Sequence, residues 1–167
     1  MGGMQRDRCR CKRGGAHAGA GATSRVVTNW LLDTNVLAEL RRSRPDRGVV
    51  AFLERESVER LYVSTVVFAE IRFGIDRQTD AVIRSDLLTW LTHSLRPFVG
   101  ERVLPLSEDV ILRWRLLVEE GRKAGHTFSQ PDLFIAATAL HHGLTVVSRD
   151  VSPFVRARVP ILDPWED

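Results

Sequence analysis

Most of this 167-residue chain has no cysteine and almost no lysine. Cys9 and Cys11 stand near the amino end, and beyond residue 27 the chain has one lysine, Lys123. We therefore expect no disulfide scaffold and a cytoplasmic location, because disulfides persist mainly in oxidising compartments. The sequence also lacks an apolar run of the roughly 18 residues that a membrane span needs, so we expect no membrane anchor. A glycine-rich phosphate loop is missing as well.

Positive charge is unevenly distributed along the chain. The formal net charge is +3, yet residues 1–27 hold six basic side chains against one acidic one, while the remainder holds 18 basic and 20 acidic side chains. The basic character thus belongs to the amino-terminal segment and says little about what the folded part binds. We predict that residues 1–25 form a flexible basic extension and that residues 26–167 form one domain, which is of typical size.

Short apolar runs alternate with amphipathic stretches beyond residue 25. Continuous apolar runs separated by helices are typical of a parallel sheet covered on both faces. The sequence therefore predicts a three-layer α/β/α fold with a mostly parallel central sheet. The predicted strands are 26–32, 61–63, 103–104, 145–147 and 160–162. The predicted helices begin at the caps Thr34, Asp46, Ser64 or Thr65, Asp80 and Ser107 and near Pro131, and a short helix lies around Phe154. We expect the helix that begins at Asp80 to stop at Pro97, and the helix that begins near Pro131 to stop at Gly143.

Two acidic residues directly follow predicted strands. Asp33 comes after the first apolar run, and Asp150 follows Val146-Val147 by three residues. Ligands of parallel sheets bind at the carboxyl ends of the strands, which is where both side chains should lie. Each also has a structural explanation, since Asp33 suits a helix N-cap or turn and Asp150 suits a loop cap.

Two further acids lie on predicted helices. Glu70 shares a helical face with Val67 and Ile71, although burying a carboxylate without compensation is expensive. An ion pair with Arg72 or Arg77 is the alternative interpretation. Asp132 falls in the first turn of its helix, where the helix dipole alone favours an anion, yet Ile135, Ala136 and Ala139 on the same face would bring it close to the sheet.

The four carboxylates would repel one another if the fold gathered them at one sheet edge. A divalent cation relieves that repulsion, and oxygen ligands without nearby cysteine or histidine favour Mg²⁺, or Mn²⁺, over zinc. Such a site can activate water for hydrolysis of a phosphodiester.

Four segments, in order, resemble the motifs of PIN-domain ribonucleases. They are LDTNVL (32–37), AEIRFG (69–74), DLFIAATA (132–139) and VSRD (147–150), and the Pro164-Trp165 pair fits the same family. The resemblance covers about residues 29–165. It is greatest to VapC-type toxins of toxin–antitoxin pairs, in the subgroup named for the fast intracellular trafficking protein B.

The resemblance implies site residues, an activity and partners. Asp33, Glu70, Asp132 and Asp150 would be the catalytic, metal-binding acids, and Asn35 and Ser148 their polar supports. Many relatives carry an acid three positions after Asp150, where this chain has Pro153, so the chain departs from the family pattern at the fourth ligand. The implied protein is a Mg²⁺-dependent endoribonuclease whose metal-activated water leaves a 5′-phosphate and a 3′-hydroxyl.

The expected partners are an RNA substrate, a VapB-like antitoxin and a second copy of the chain, in a homodimer or larger assembly. A basic antitoxin segment should dock on apolar residues around Phe52-Leu53, Phe68 and Phe73. Two other interpretations remain: a catalytically silent PIN-like module that binds RNA or protein, and a haloacid-dehalogenase-like phosphatase, which would need an acid where Asn35 stands.

Overall fold

Five short parallel strands form the centre of the molecule. The structure, a computed structural model, describes residues 28–166 apart from His126 and Phe128. The predicted extension 1–25 and the 26–27 part of the predicted first strand lie outside these residues. The strands are β1 (Trp30–Leu32), β2 (Leu61–Ser64), β3 (Val103–Leu104), β4 (Thr145–Val147) and β5 (Ile161–Leu162). Their order is β3-β2-β1-β4-β5, and every neighbouring pair is parallel, as predicted.

Helices connect the strands in the predicted sequence of elements. They are α1 (Thr34–Glu39), α2 (Arg47–Arg55), α3 (Thr65–Asp76), α4 (Ala81–Trp90), α5 (Arg96–Val99), α6 (Glu108–Lys123), α7 (Gln130–His142) and α8 (Val151–Arg156). A 3₁₀ turn (Val58–Arg60) precedes β2, and a π-helical turn (Leu91–Leu95) joins α4 to α5. None of the helices among the described residues meets the length and apolarity that a membrane crossing requires.

Most helix boundaries follow the capping signals of the sequence. The side chains of Asp46, Ser64, Asp80 and Ser107 accept hydrogen bonds from the first turns of α2, α3, α4 and α6. Helix α7 ends at Gly143, whose φ of 65° is the left-handed conformation that glycine adopts without strain. Local chemistry thus sets these boundaries.

Two of the predicted boundaries are wrong. Thr34 does not cap α1, because the carboxylate of Asp33 accepts the hydrogen bond from the backbone N–H of Thr34 instead. Pro97 does not stop the helical segment, which continues to Val99. The π-helical turn ends just before it, so Pro97 falls in the first turn of α5, where a missing N–H is tolerated.

The core lies on both faces of the sheet. Leu31 and Leu32 of β1 and Val146 and Val147 of β4 point to opposite faces, and all four are fully buried. Helices therefore cover both sides, which confirms the predicted α/β architecture. Phe52 and Phe68 are also buried in this core, so the prediction that they form a docking surface is wrong; Phe73 remains exposed.

The carboxyl-terminal segment packs tightly against the start of α2. A Cβ atom on Gly48 would overlap the carbonyl oxygen of Pro164 and lie 3.2 Å from its carbonyl carbon. Since a backbone carbonyl cannot rotate away as a flexible side chain can, only glycine fits here without moving the chain.

We predict that Gly48→Ala lowers the free energy of unfolding by about 1–3 kcal/mol, the usual cost of overpacking. Gly74→Ala is the matched control, because no atom lies within 4 Å of a Cβ at that helical position. It should raise the free energy of unfolding by about 0.5–1 kcal/mol. Urea denaturation of both variants measures the difference, and equal stabilities would contradict the proposed close packing.

Candidate active site

Asp33 and Ser148 meet at the carboxyl edge of the two central strands. They directly follow Leu32 of β1 and Val147 of β4, which are register partners. The backbone N–H of Asp33 donates to the carbonyl of Val147 at 3.1 Å, so this pairing extends one residue beyond the strands. The sheet itself therefore brings together two residues that are 115 positions apart.

The carboxylate of Asp33 is buried and held by three hydrogen bonds. Its Oδ1 accepts from the backbone N–H of Thr34 at 2.7 Å, and its Oδ2 accepts from Ser148 Oγ at 2.6 Å and Asn35 Nδ2 at 2.9 Å. Asn35 Nδ2 also lies 2.8 Å from Ser148 Oγ. Asn35 and Ser148 therefore fix the orientation of the Asp33 carboxylate.

Glu70 reaches the site from α3. Its Oε2 accepts a hydrogen bond from the hydroxyl of Thr34 at 2.7 Å, which ties α3 to the start of α1. The alternative ion pair with Arg72 does not form, since Arg72 Nε binds Asp76 at 3.1 Å on the exposed side of α3. The sequence offered no signal for the role of Thr34 beyond its place between Asp33 and Asn35.

Asp132 lies in the first turn of α7, as predicted, and is half-buried. The hydroxyl of Ser129 caps this helix by accepting from the backbone N–H of Asp132 at 3.5 Å. Helix α7 packs against α3, which carries Glu70. Asp132 and Glu70 thus approach Asp33 on two neighbouring helices.

The three acids influence one another electrostatically. Burial is the main cause that raises the pKa of the Asp33 carboxyl from 3.8 to about 6. The hydrogen bonds from Ser148 and Thr34 oppose this rise, while the negative charges of Asp132 and Glu70 add to it. An ionised Asp33 is therefore costly in this site unless a cation compensates for it.

Asp150 stands apart from the other acids. It occupies the residue before α8, but its side chain makes no capping hydrogen bond and is exposed. Its backbone N–H donates to Ser148 Oγ at 3.0 Å, so the backbone of Asp150 lies beside Ser148. The structure therefore groups Asp33, Glu70 and Asp132 with Asn35 and Ser148, and leaves Asp150 at the margin.

The chemistry of the site suits a hard divalent cation. The available donors are carboxylate and hydroxyl oxygens, and burial, which raises the pKa of Asp33, makes its ionised form costly unless a cation lies beside it. As placed, no three His, Cys, Asp or Glu side chains of the described residues stand close enough together to hold an ion. The carboxylates of Glu70 and Asp132 would have to move closer to Asp33 for all three to hold one ion.

A five-stranded parallel sheet with acids at its carboxyl edge defines a PIN-like α/β protein. The PIN domain family model matches residues 30–159, and the chain belongs to this family. The chain is 37% identical over 136 residues to "VapC ribonuclease Y4jK" of Sinorhizobium fredii, which covers 81% of this chain and 97% of the relative. It is thus a VapC-type member of the PIN-domain family.

Three further similarities to known proteins are consistent with this assignment. The chain is 35% identical to "Toxin FitB" of Neisseria gonorrhoeae over 82% of this chain and 99% of that protein. The crystal structure of FitAcB from the same organism superposes with a TM-score of 0.78 at 34% identity, covering 83% of this chain and 99% of that one. VapBC-1 from Haemophilus influenzae shares the fold, with a TM-score of 0.70 at 22% identity. The match covers 84% of this chain and 100% of that one.

We predict that Asp33→Asn stabilises the chain at neutral pH in the presence of a chelator. The folded chain keeps the Asp33 proton up to about pH 6, whereas the unfolded chain loses it near pH 3.8. Folding thus binds a proton in this window, and stability falls as the pH rises through it, by about 3 kcal/mol in all.

The asparagine removes that loss, but it has only one accepting oxygen and so gives up either the bond from Thr34 or the bonds from Ser148 and Asn35. We therefore expect a net gain of about 1–2 kcal/mol at pH 7.5 that disappears at pH 4. Chemical denaturation at the two pH values measures it. Asp150→Asn, at an exposed position, is the control, and its effect on the free energy of unfolding should be the same at both pH values. A gain for Asp33→Asn that is independent of pH would contradict the argument.

Proposed function

We propose that this chain is a Mg²⁺-dependent endoribonuclease, with Mn²⁺ as an alternative ion, and that it acts as the toxin of a type II toxin–antitoxin system. The observation that carries the proposal is the buried Asp33 carboxylate beside Glu70 and Asp132 at the carboxyl edge of the sheet. The names of the relatives, a ribonuclease and a toxin, support the same activity.

In this proposal Asp33, Glu70 and Asp132 hold the metal ion, and Asp150 completes the set from its exposed loop. When bound, the ion activates a water molecule and neutralises charge on the phosphodiester. The expected products carry a 5′-phosphate and a 3′-hydroxyl.

The neighbouring polar residues position the acids. Ser148 and Asn35 both donate to Asp33 Oδ2, so they select one rotamer of that carboxylate. Thr34 does the same for Glu70 by donating to Oε2. Because such supports orient ligands without touching the ion, their loss typically costs about 10–100-fold in metal affinity or activity.

We predict that Asp33→Asn and Asp132→Asn reduce Mg²⁺-dependent RNA cleavage below detection while the chain stays folded. Ser148→Ala should reduce it about 10–100-fold, with a higher Mg²⁺ requirement. Asp109→Asn is the matched control: Asp109 lies in the first turn of α6, near His141 at the opposite end of α7 from Asp132, so its loss should leave cleavage unchanged.

Cleavage that survives in Asp33→Asn would contradict the proposed metal site. Full activity of Asp150→Ala would show that the fourth ligand is another group. If the wild-type chain neither cleaves RNA nor binds Mg²⁺ or Mn²⁺ in a calorimetric titration, the catalytically silent PIN-like module becomes the better interpretation.

An apolar groove next to the acids supports an antitoxin partner. A cavity of about 660 Å³ lies between α3 and α7, and Val66, Phe73, Pro131 and Phe134 line it together with Glu70. Phe73 is 62% exposed and lines this groove, so it offers a large apolar surface to a partner. We propose that a basic, amphipathic antitoxin segment docks here and places a Lys or Arg near Glu70 and Asp132. The proposed assembly also includes a homodimer of this chain.

We predict that co-expression with the product of the adjacent antitoxin gene suppresses toxicity and yields a complex that co-purifies. Phe73→Asp should abolish co-purification because it puts a charge into the apolar groove. Val82→Asp is the control, since Val82 is 71% exposed on α4 and does not line the groove. If both variants co-purify equally well with the antitoxin, the antitoxin binds elsewhere. If the wild-type chain is harmless when expressed alone and no partner co-purifies with it, the toxin proposal is wrong.

A further inference from the structure

An acidic catalytic centre creates an electrostatic problem for an RNA-cleaving protein. The RNA backbone is a polyanion, while residues 28–167 hold 18 basic and 20 acidic side chains. Glu70, Asp132 and the buried Asp33 add negative charge where the scissile phosphate would have to lie. Cations near this centre are therefore needed to bind the phosphates on either side of the bond that is cut.

Three exposed arginines around the acids share an arrangement that Arg55 over Phe52 and Arg96 over Phe68 also show. Each places its guanidinium over an aromatic ring: Arg41 over Trp90 at 5.7 Å, Arg77 over Phe73 at 5.6 Å and Arg149 over Trp165 at 5.5 Å from the ring centroid. Contact with a ring face orients the guanidinium and leaves its N–H edges available, unlike an ion pair, which occupies them.

Two of the three arginines share cavities with Glu70. Arg41, just after α1, lines a cavity of about 290 Å³ with Thr34 and Glu70. Arg77, at the end of α3, lines the larger groove with Glu70 and Pro131, the residue before Asp132. Glu70 thus borders two cavities, one of which contains Arg41 and the other Arg77.

The third arginine belongs to the loop that carries Ser148 and Asp150. The backbone N–H of Arg149 donates to Asn35 Oδ1 at 3.4 Å, and Asn35 in turn binds Asp33. Trp165 lies beneath the Arg149 side chain, and the close packing of the preceding residue, Pro164, against Gly48 fixes the segment that carries this ring. The position of Arg149 therefore depends on the docked carboxyl-terminal segment.

Outside these three, some described arginines, such as Arg96 and Arg113, also have no carboxylate partner, and others are neutralised by one. Six of them pair with Asp or Glu at 3.0–3.6 Å: Arg42, Arg55, Arg60, Arg72, Arg115 and Arg122. In the part of the chain that the structure describes, Arg41, Arg77 and Arg149 have no carboxylate within 4.0 Å of the guanidinium. Positive charge that can bind an external anion is thus present next to the acids.

We propose that Arg41, Arg77 and Arg149 form an arginine rim that binds the phosphates of single-stranded RNA on both sides of the acidic centre. The inference rests on the proposed ribonuclease function and specifies how its substrate is held. Guanidinium groups suit this role because they bind phosphate oxygens through two parallel N–H bonds. Aromatic support from three separate elements sets the path of the RNA across the site.

The test measures RNA binding separately from cleavage. Fluorescence anisotropy with a short single-stranded RNA is recorded for the full chain carrying Asp132→Asn, in chelator, over a series of salt concentrations. Arg41→Gln, Arg77→Gln and Arg149→Gln should each weaken binding, by roughly tenfold or less, and lower the slope of log K against log salt by about 0.7, the value for one lost phosphate contact.

Arg113→Gln is the matched control. It removes the same charge from α6, beside His141 at the far end of α7, and should change neither the affinity nor the slope beyond a small general effect. In chains with intact acids, the rim variants should raise KM for RNA while kcat stays near the wild-type value. Replacing each of the three arginines by lysine keeps the positive charge and should therefore keep the wild-type slope of log K against log salt.

The outcomes separate the two proposals. If the wild-type chain cleaves RNA but the rim variants keep the wild-type Kd, salt slope and KM, the arginine rim is wrong and the ribonuclease proposal stands. If the rim variants bind RNA normally but lose the antitoxin, these arginines are protein contacts, which also overturns the inference. A wild-type chain that binds RNA through the rim without cleaving it would overturn the proposed activity instead.

Discussion

The rest of the site depends on one buried carboxylate. Asp33 is only 6% exposed, caps α1 and accepts hydrogen bonds from Ser148 and Asn35. Burial makes its charge expensive, and the charges of Glu70 and Asp132 increase that cost. A fold selected for stability alone would place an apolar or neutral residue here. The cost is understandable if the position serves to bind a cation.

The parallel sheet explains how this carboxylate acquires its neighbours. Because β1 and β4 run in the same direction, the residues that follow them meet at one edge, which brings Ser148 to Asp33. Helices α3 and α7 pack on each other and deliver Glu70 and Asp132 from the helical layer. The hydrogen bond from Thr34 to Glu70 then ties α3 to the start of α1, next to Asp33. Acids from distant parts of the chain share one site because of this topology.

Substrate and partner would use the same surface. The groove between α3 and α7 that we assign to the antitoxin contains Glu70 and Arg77, and Arg77 also belongs to the arginine rim. An antitoxin segment in this groove would cover one side of the RNA path and place its own cation against the acids. Inhibition would then combine occlusion of the RNA path with competition for the metal, without any change in the fold.

The sequence by itself determined the order of strands and helices along the chain, most helix caps and the identity of the candidate acids, because apolar periodicity and capping chemistry are local properties. It did not determine that Thr34 holds Glu70, that Pro97 sits inside a helical segment, or that Phe68 is buried while Phe73 is exposed. These features depend on which residues from distant segments are adjacent after packing. The same holds for the arginines: only the tertiary structure decides which guanidinium meets a carboxylate and which meets an aromatic ring.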